Sequence, residues 1–173
     1  MRPLRRRFEE QTKAFLPALY GAARLLMPGS AEAVVMEVYC RAYRAFQEHP
    51  DTGTLKRWLF ELLWQVCLDT WRRQHQHGIP RAIPLSSPIE ASVTPLPRTP
   101  IDLSSDEGRT IVRQAIANLP IAWRMPVILA DIEGFSYQDT AAIVGCPVDL
   151  VTARLQQARR RLRNLLKPAA SNP

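Results

Sequence analysis

Two small all-α domains joined by a proline-rich linker are what this sequence predicts, on three observations. Apolar residues recur at three- and four-residue intervals on both sides of the chain's middle. No β-alternating run of useful length occurs anywhere. Six of the fifteen prolines crowd into residues 79–100, "IPRAIPLSSPIEASVTPLPRTP". Proline lacks a backbone donor and fixes φ, so this stretch cannot build helix and would do poorly in a sheet. The expected division is a helical domain over 1–74, a linker over 75–105, a second helical domain over 106–167 and a tail over 168–173.

In the first domain, Phe15, Leu19, Ala22, Ala23 and Leu26 form one stripe, closed by Pro28–Gly29. Ala31, Val34, Val35, Val38, Tyr39, Ala42 and Phe46 form another, with Ser30 ahead of them as N-cap. From Leu55 to Trp71, "LKRWLFELLWQVCLDTWRR" is apolar on more than one face. That marks a helix sandwiched between others, with Arg72 and Arg73 favourably placed near its C-terminal end. In the second domain, Ile111, Ala115, Ile116 and Leu119 give a stripe that stops at Pro120. A helix over about 122–132 follows, with Pro126 expected to kink or weaken it.

Charge narrows the function class. The formal net charge is +7 and the pI about 9.9, which favours nucleic acid or another acidic surface as partner. The excess is localised. Between Asp149 and Lys167, six cations (Arg154, Arg159, Arg160, Arg161, Arg163 and Lys167) face a single acid. Arg2, Arg5, Arg6 and Arg7 make a second cluster. Cys40, Cys67 and Cys146 are odd in number and scattered, which fits neither a disulfide framework nor a zinc spacing and reads as a reducing cytosol. No apolar run is long enough to span a bilayer, and the basic start has no apolar segment behind it. His49, His75 and His77 form no catalytic arrangement with a nucleophile. His75 and His77 with Cys67 are a weak metal grouping, so no metal, cofactor or enzymatic activity is assigned.

The stretch "GFSYQDTAAIVGCPVDLVTARLQQARRRLRNLL" (134–166) is the most informative. Ser136 can cap a short helix over 137–144, with Ala141, Ile143 and Val144 facing a core. Gly145 sits where a left-handed C-terminal residue is needed. Val148, Val151, Leu155, Ala158, Leu162 and Leu165 then mark one face of a long second helix, the arginines falling mainly elsewhere. This is the layout of a helix-turn-helix whose second helix enters the major groove.

On these residues the chain resembles the sigma-70 family, in its extracytoplasmic-function (ECF) group. Residues 118–166 are similar to region 4, through Leu119–Pro120, Arg124, Glu133–Gly134, Ser136–Tyr137, Ala141, Gly145, Val151, Arg154–Leu155 and Ala158–Arg159. "WLFELLWQVCLDTWRR" (58–73) and "SAEAVVMEVYCRAYRAF" (30–46) are similar to region 2. The resemblance implies a non-enzymatic, cytoplasmic alternative sigma factor that binds core RNA polymerase and directs initiation at promoter DNA. It implies minus-thirty-five contacts from Ser136, Tyr137, Leu150, Thr152, Arg154, Gln157 and Arg159. It implies minus-ten contacts from Trp64, Gln65, Asp69, Arg72 and Arg73, with Trp58, Trp64 and Trp71 available to stack on unpaired bases or to fill the core. Core polymerase would dock on Glu32, Ala33, Met36 and Glu37. An anti-sigma factor is a further partner of this group, although no residue identifies one.

The chain departs from the family pattern at the positions that make contacts. Ser30, Ala33 and Met36 replace two acids and a glutamine on the polymerase-facing helix, where each lost polar contact weakens an interface by about 0.5–1.5 kcal/mol. Ala33, Met36 and Cys40 would instead make an apolar strip. Gln65 takes an asparagine position. Leu150, Thr152 and Ala153 stand where threonine, lysine and serine are usual. The competing reading is therefore a sigma-like DNA-binding regulator, or partner-binding protein, with weakened or lost polymerase binding. A helix-turn-helix regulator of another class is a third.

Overall fold

The computed structural model describes residues 2–46, 55–74 and 105–166. They are helical apart from short turns. The order is α1 (Arg2–Thr12), a 3-10 turn (Lys13–Phe15), α2 (Leu16–Leu26), α3 (Ala31–Ala45), α4 (Leu55–Gln74), α5 (Asp106–Ala117), α6 (Ile121–Val127), a π-helical turn (Ile128–Ile132), α7 (Tyr137–Val144) and α8 (Val148–Leu166). The linker, the tail, His49, His75 and His77 lie outside the described residues. No described helix is long and apolar enough to cross a membrane.

The predicted stripes are the buried faces. Leu19, Ala22, Ala23 and Leu26 of α2 meet Val34, Val35, Val38 and Ala42 of α3. Ser30 holds the N-cap position of α3, its carbonyl accepting from Val34 N–H at 2.9 Å, without a capping bond to its side chain. Helix α4 buries Leu55, Leu59, Phe60, Leu63, Trp64, Val66 and Cys67 around much of its circumference. It packs against α2, α3 and α7, as its apolar breadth requires.

Helix α1 was not anticipated from the arginine-rich start. Its solvent side is tied by Arg5–Glu9 and Arg6–Glu10 pairs one turn apart. Its inner side carries the buried Phe8 and Thr12 and the partly buried Leu4. Phe8 is buried edge-on against Tyr39, Tyr43 and Phe46, with ring centroids 5.9, 5.4 and 5.2 Å away. Tyr39 also donates its hydroxyl to the Thr12 carbonyl at 3.0 Å.

Pro126 lies inside α6 and cannot donate to the carbonyl one turn back. The helix persists to Val127 and then widens into the π turn, which Glu133 N–H closes on the Ile128 carbonyl at 2.9 Å. The helix expected over about 122–132, kinked or weakened at Pro126, is thus a short α-helix and a π turn in series.

The core does not stop at the linker. Ile121, Met125, Ile128, Leu129 and Ile143 belong to the same buried cluster as the residues of α2, α3 and α4. A smaller cluster of Leu119, Val127, Ala141, Val151, Leu155 and Ala158 holds α7 and α8 to α6.

Cys67 is fully buried in the larger cluster, and burial pushes its thiol up to about 12, against a weaker opposing pull from the Arg124 cation. Burial likewise raises the Cys146 thiol, opposed by Arg154. An unfolded thiol ionises near pH 8.5, so above that pH the unfolded chain binds fewer protons than the folded one. Stability is therefore expected to fall between about pH 8.5 and 10, by up to about 1.4 kcal/mol per pH unit for Cys67. Urea unfolding at several pH values measures this, and Cys67→Ala should flatten the slope. A thiol reagent should label exposed Cys40 first and Cys67 only on unfolding.

Candidate nucleic-acid interface

Helices α7 and α8 are joined by a corner that the sequence specifies residue by residue. Ser136 is extended, and its hydroxyl accepts from Asp139 N–H at 3.0 Å while donating to the Asp139 carboxylate at 2.7 Å. The Ser136 hydroxyl thus caps the first turn of α7. At the other end Gly145 adopts φ 72°, ψ 40°, and the N–H groups of Gly145 and Cys146 both reach the Ala141 carbonyl, at 2.9 and 3.1 Å. A Cβ at Gly145 would meet nothing within 4 Å, so only backbone strain opposes substitution. Gly145→Val should cost about 1–3 kcal/mol and Gly145→Asn distinctly less, measurable by urea unfolding.

Helix α8 buries Val151, Leu155 and Ala158 and presents Gln156, Gln157, Arg160, Arg161 and Arg163 to solvent. Gln157, Arg160 and Arg161 line a shallow groove with Trp123, Asn164 and Leu165. Of the other residues assigned to minus-thirty-five contacts, Ser136 and Tyr137 are exposed, and Leu150 and Thr152 are half-buried. The Thr152 hydroxyl is turned back onto the Val148 carbonyl at 3.0 Å. Arg154 is 4% exposed, its Nη1 donating to Cys146 Sγ at 3.8 Å, so its guanidinium lies inside the corner. Arg159 grips Asp131 through Nε at 3.1 Å and Nη2 at 2.5 Å, and donates through Nη1 to the Tyr137 hydroxyl at 3.2 Å. The Asp131 and Tyr137 bonds hold the Arg159 cation well above the ordinary guanidinium range.

The residues assigned to the minus-ten element divide similarly. Gln65 is exposed. Asp69 receives Arg41 at 3.1 Å and Arg72 at 3.6 Å, and Arg73 Nε donates to the Asp69 carbonyl at 3.2 Å. Trp64 is 4% exposed and its indole Nε1 donates to the Val144 carbonyl, at the end of α7, at 3.3 Å. Trp58 and Trp71 are partly buried against the same core. On α3, Glu32, Ala33 and Cys40 are exposed, Met36 is 68% exposed, and Glu37 pairs with Arg41 at 2.8 Å.

Three participants have roles that sequence patterns did not reveal. Asp131 pairs with an arginine 28 positions away. Lys56 binds Glu133 at both its carboxylate (3.2 Å) and its carbonyl (2.9 Å), with Nζ 4.8 Å from the Phe135 ring centroid. Arg124, a residue of the region 4 pattern, is buried and donates to the carbonyls of Ala117, Leu119, Leu25 and Leu26 at 2.6–3.2 Å. Its motif position flagged it, but nothing in the sequence gave it a carboxylate-free site.

A capped helix-turn-helix with an exposed basic second helix, packed on a second helical module, defines a DNA-binding protein of the all-α class. Residues 109–162 match the family model described as Sigma-70, region 4. The chain is 27% identical over 156 residues to the ECF RNA polymerase sigma-E factor of Escherichia coli (strain K12), covering 84% of this chain and 78% of that one. It is 28% identical over 147 residues to the ECF RNA polymerase sigma factor SigE of Mycolicibacterium smegmatis, covering 82% and 53%. Among solved structures it is similar to the sigma factor RpoE of Bartonella quintana, solved with the anti-sigma factor NepR. There the TM-score is 0.68 at 26% identity, over 92% of this chain and 96% of that one. CnrH, solved with the cytosolic domain of CnrY, shares the fold, with TM-score 0.63 at 22% identity over 94% and 88%. Residues 109–162 thus match region 4 of the sigma-70 family, and the chain is similar over most of its length to ECF sigma factors.

Proposed function

We propose that this chain is an alternative sigma factor: it binds core RNA polymerase in the cytoplasm and directs initiation at a specific class of promoters, without catalysing a reaction itself. What supports the reading is the presence, in one chain, of the capped α7–α8 head, matched as region 4, and the α3–α4 pair, whose sequence resembles region 2. In this reading residues 1–74 engage polymerase and the minus-ten element, and residues 106–167 the minus-thirty-five element. Core polymerase docks on α3 at Glu32, Ala33, Met36 and Glu37. Gln65, Asp69, Arg72 and Arg73 face the minus-ten element. Gln157, Ser136 and Tyr137 position the reading helix, with exposed arginines on phosphates. Because the Bartonella quintana relative was solved with an anti-sigma factor, an anti-sigma factor is the expected regulator.

The test is transcription with purified core polymerase on a library of promoter fragments. Specific initiation from a subset of fragments, with co-purification of core enzyme, is the expected result. Absence of both would remove the reading. One observation favours the alternative, a sigma-like regulator without polymerase binding. The outward strip of Ala33, Met36 and Cys40 on α3 is apolar where the family carries polar contacts. Sequence-specific DNA binding without any affinity for core enzyme would select it.

A further inference from the structure

Helices α2 and α5 are in contact, and a cleft of about 850 Å³ opens between them. That lies within the roughly 300–1,000 Å³ of small-molecule sites. Leu19, Ala22, Ala23 and Leu26 hold α2 to the core. Pro17, Tyr20, Gly21 and Arg24 repeat at the same spacing on another side of that helix and line the cleft. Arg109, Val112, Arg113 and Ile116 repeat alike on α5 and line it from there. Leu25 and Ile128 add further apolar surface. A Cβ at Gly21 would meet nothing within 4 Å, so the cleft is open at that point.

Three arginines line this cleft against a single acid. That acid, Glu133, is already paired with Lys56 at 3.2 Å. Arg109 pairs with Asp106 at 3.2 Å, an exposed contact that a stronger partner can replace. Arg24 stands over the Tyr20 ring, 6.0 Å from its centroid. Arg113 is exposed and takes part in no salt bridge among the described residues. Apolar walls with a few cations suit a ligand that has an apolar body and an anionic head. A planar guanidinium meets a carboxylate through two parallel N–H bonds. We propose that this cleft binds a small amphipathic carboxylate, its tail on Leu25, Ile116 and Ile128 and its head on Arg24 and Arg113. None of the lining residues is among those assigned to DNA or polymerase, so the site takes a small-molecule input of its own.

The experiment titrates the full-length, nitrogen-15-labelled chain with decanoate and follows its backbone amides by NMR. Saturable shifts centred on Gly21 and Val112 are expected, with a Kd of about 0.1–1 mM for a ligand of this size. Decyltrimethylammonium, the same tail with the opposite charge, should bind at least about tenfold more weakly. Arg24→Gln combined with Arg113→Gln should weaken decanoate about tenfold. Arg6→Gln combined with Arg7→Gln removes the same charge from α1 and should leave the affinity unchanged, which separates the cleft from general attraction to a basic protein. Gly21→Phe should fill the cleft and abolish binding, and it replaces a poor helix former. Circular dichroism checks that each variant folds; should Gly21→Phe fail, the exposed Arg24 and Arg113 pair decides. No saturation below about 5 mM, shifts centred elsewhere, or equal binding of the cation overturns the proposal. So does an affinity indifferent to the Arg24 and Arg113 variant, or equally lowered by the α1 variant.

Discussion

Replacing Arg124 by methionine is expected to destabilise the protein by about 3–5 kcal/mol, the usual cost of breaking a buried hydrogen-bonded charge site. Urea unfolding would register this as a fall in midpoint of about 1–3 M. The reason lies in what surrounds the guanidinium. Ala117 is the last residue of α5, and Leu25 and Leu26 are the last of α2. Carbonyls at a helix end have no partner within the helix and carry the negative end of its dipole. Two such ends and the Leu119 carbonyl converge on one planar cation with five N–H groups, which no other side chain can match. Arg124→Lys should lose most of the same stability, since three rotatable donors cannot span four carbonyls.

The site stores a cost as well as a gain. Burial pulls the Arg124 guanidinium down to about 10, only partly offset by Cys67, and no carboxylate of the described residues pairs with it. Above pH 10 the folded chain would bind fewer protons than the unfolded one, so this group's contribution runs opposite to that of Cys67. The thiol effect is therefore cleanest below pH 10. The methionine variant removes the desolvation cost along with the bonds, which keeps the expected loss well below the sum of five charge-assisted hydrogen bonds.

What could be read from the sequence was local. The Ser136 cap, the Gly145 corner and the stripe of α8 each depend on residues within one or two helical turns, and they took the predicted form except at Val148, the first residue of the stripe, which is exposed. The breadth of apolar surface on α4 announced that it would be covered on several sides. It did not announce that α7 would do part of the covering, because nothing in the period of one helix names its neighbour. Hence Trp64 could be weighed only as either core or reader. Arg154 and Arg159 resemble their neighbours in sequence, yet one is enclosed beside Cys146 and the other gripped by Asp131. Those fates depend on contacts eight and 28 residues away. Helix α1 was missed because its inner face, Leu4, Phe8 and Thr12, holds only two apolar residues among arginines and glutamates, too few for a periodic signal.

Affinity for DNA should depend on salt in a way that separates these arginines. Arg160, Arg161 and Arg163 are exposed on α8 and take part in no salt bridge among the described residues. Three phosphate contacts from them give a log–log slope of about −2.7, or roughly a 40-fold loss of affinity between 50 and 200 mM salt. A fourth contact, as expected from the sequence alone, would steepen it to about −3.6. Arg160→Ala combined with Arg161→Ala should reduce the slope by about 1.8 and weaken binding most at low salt. Arg159→Ala should change the slope far less, because its charge is already opposed by Asp131 and its bonds are spent on Asp131 and Tyr137. Fluorescence anisotropy with a labelled duplex across a salt series measures all three. A slope as sensitive to Arg159 as to Arg160 would mean that DNA displaces Asp131 from the guanidinium. A flat response in the native chain would reduce the basic face of α8 to a solvated surface.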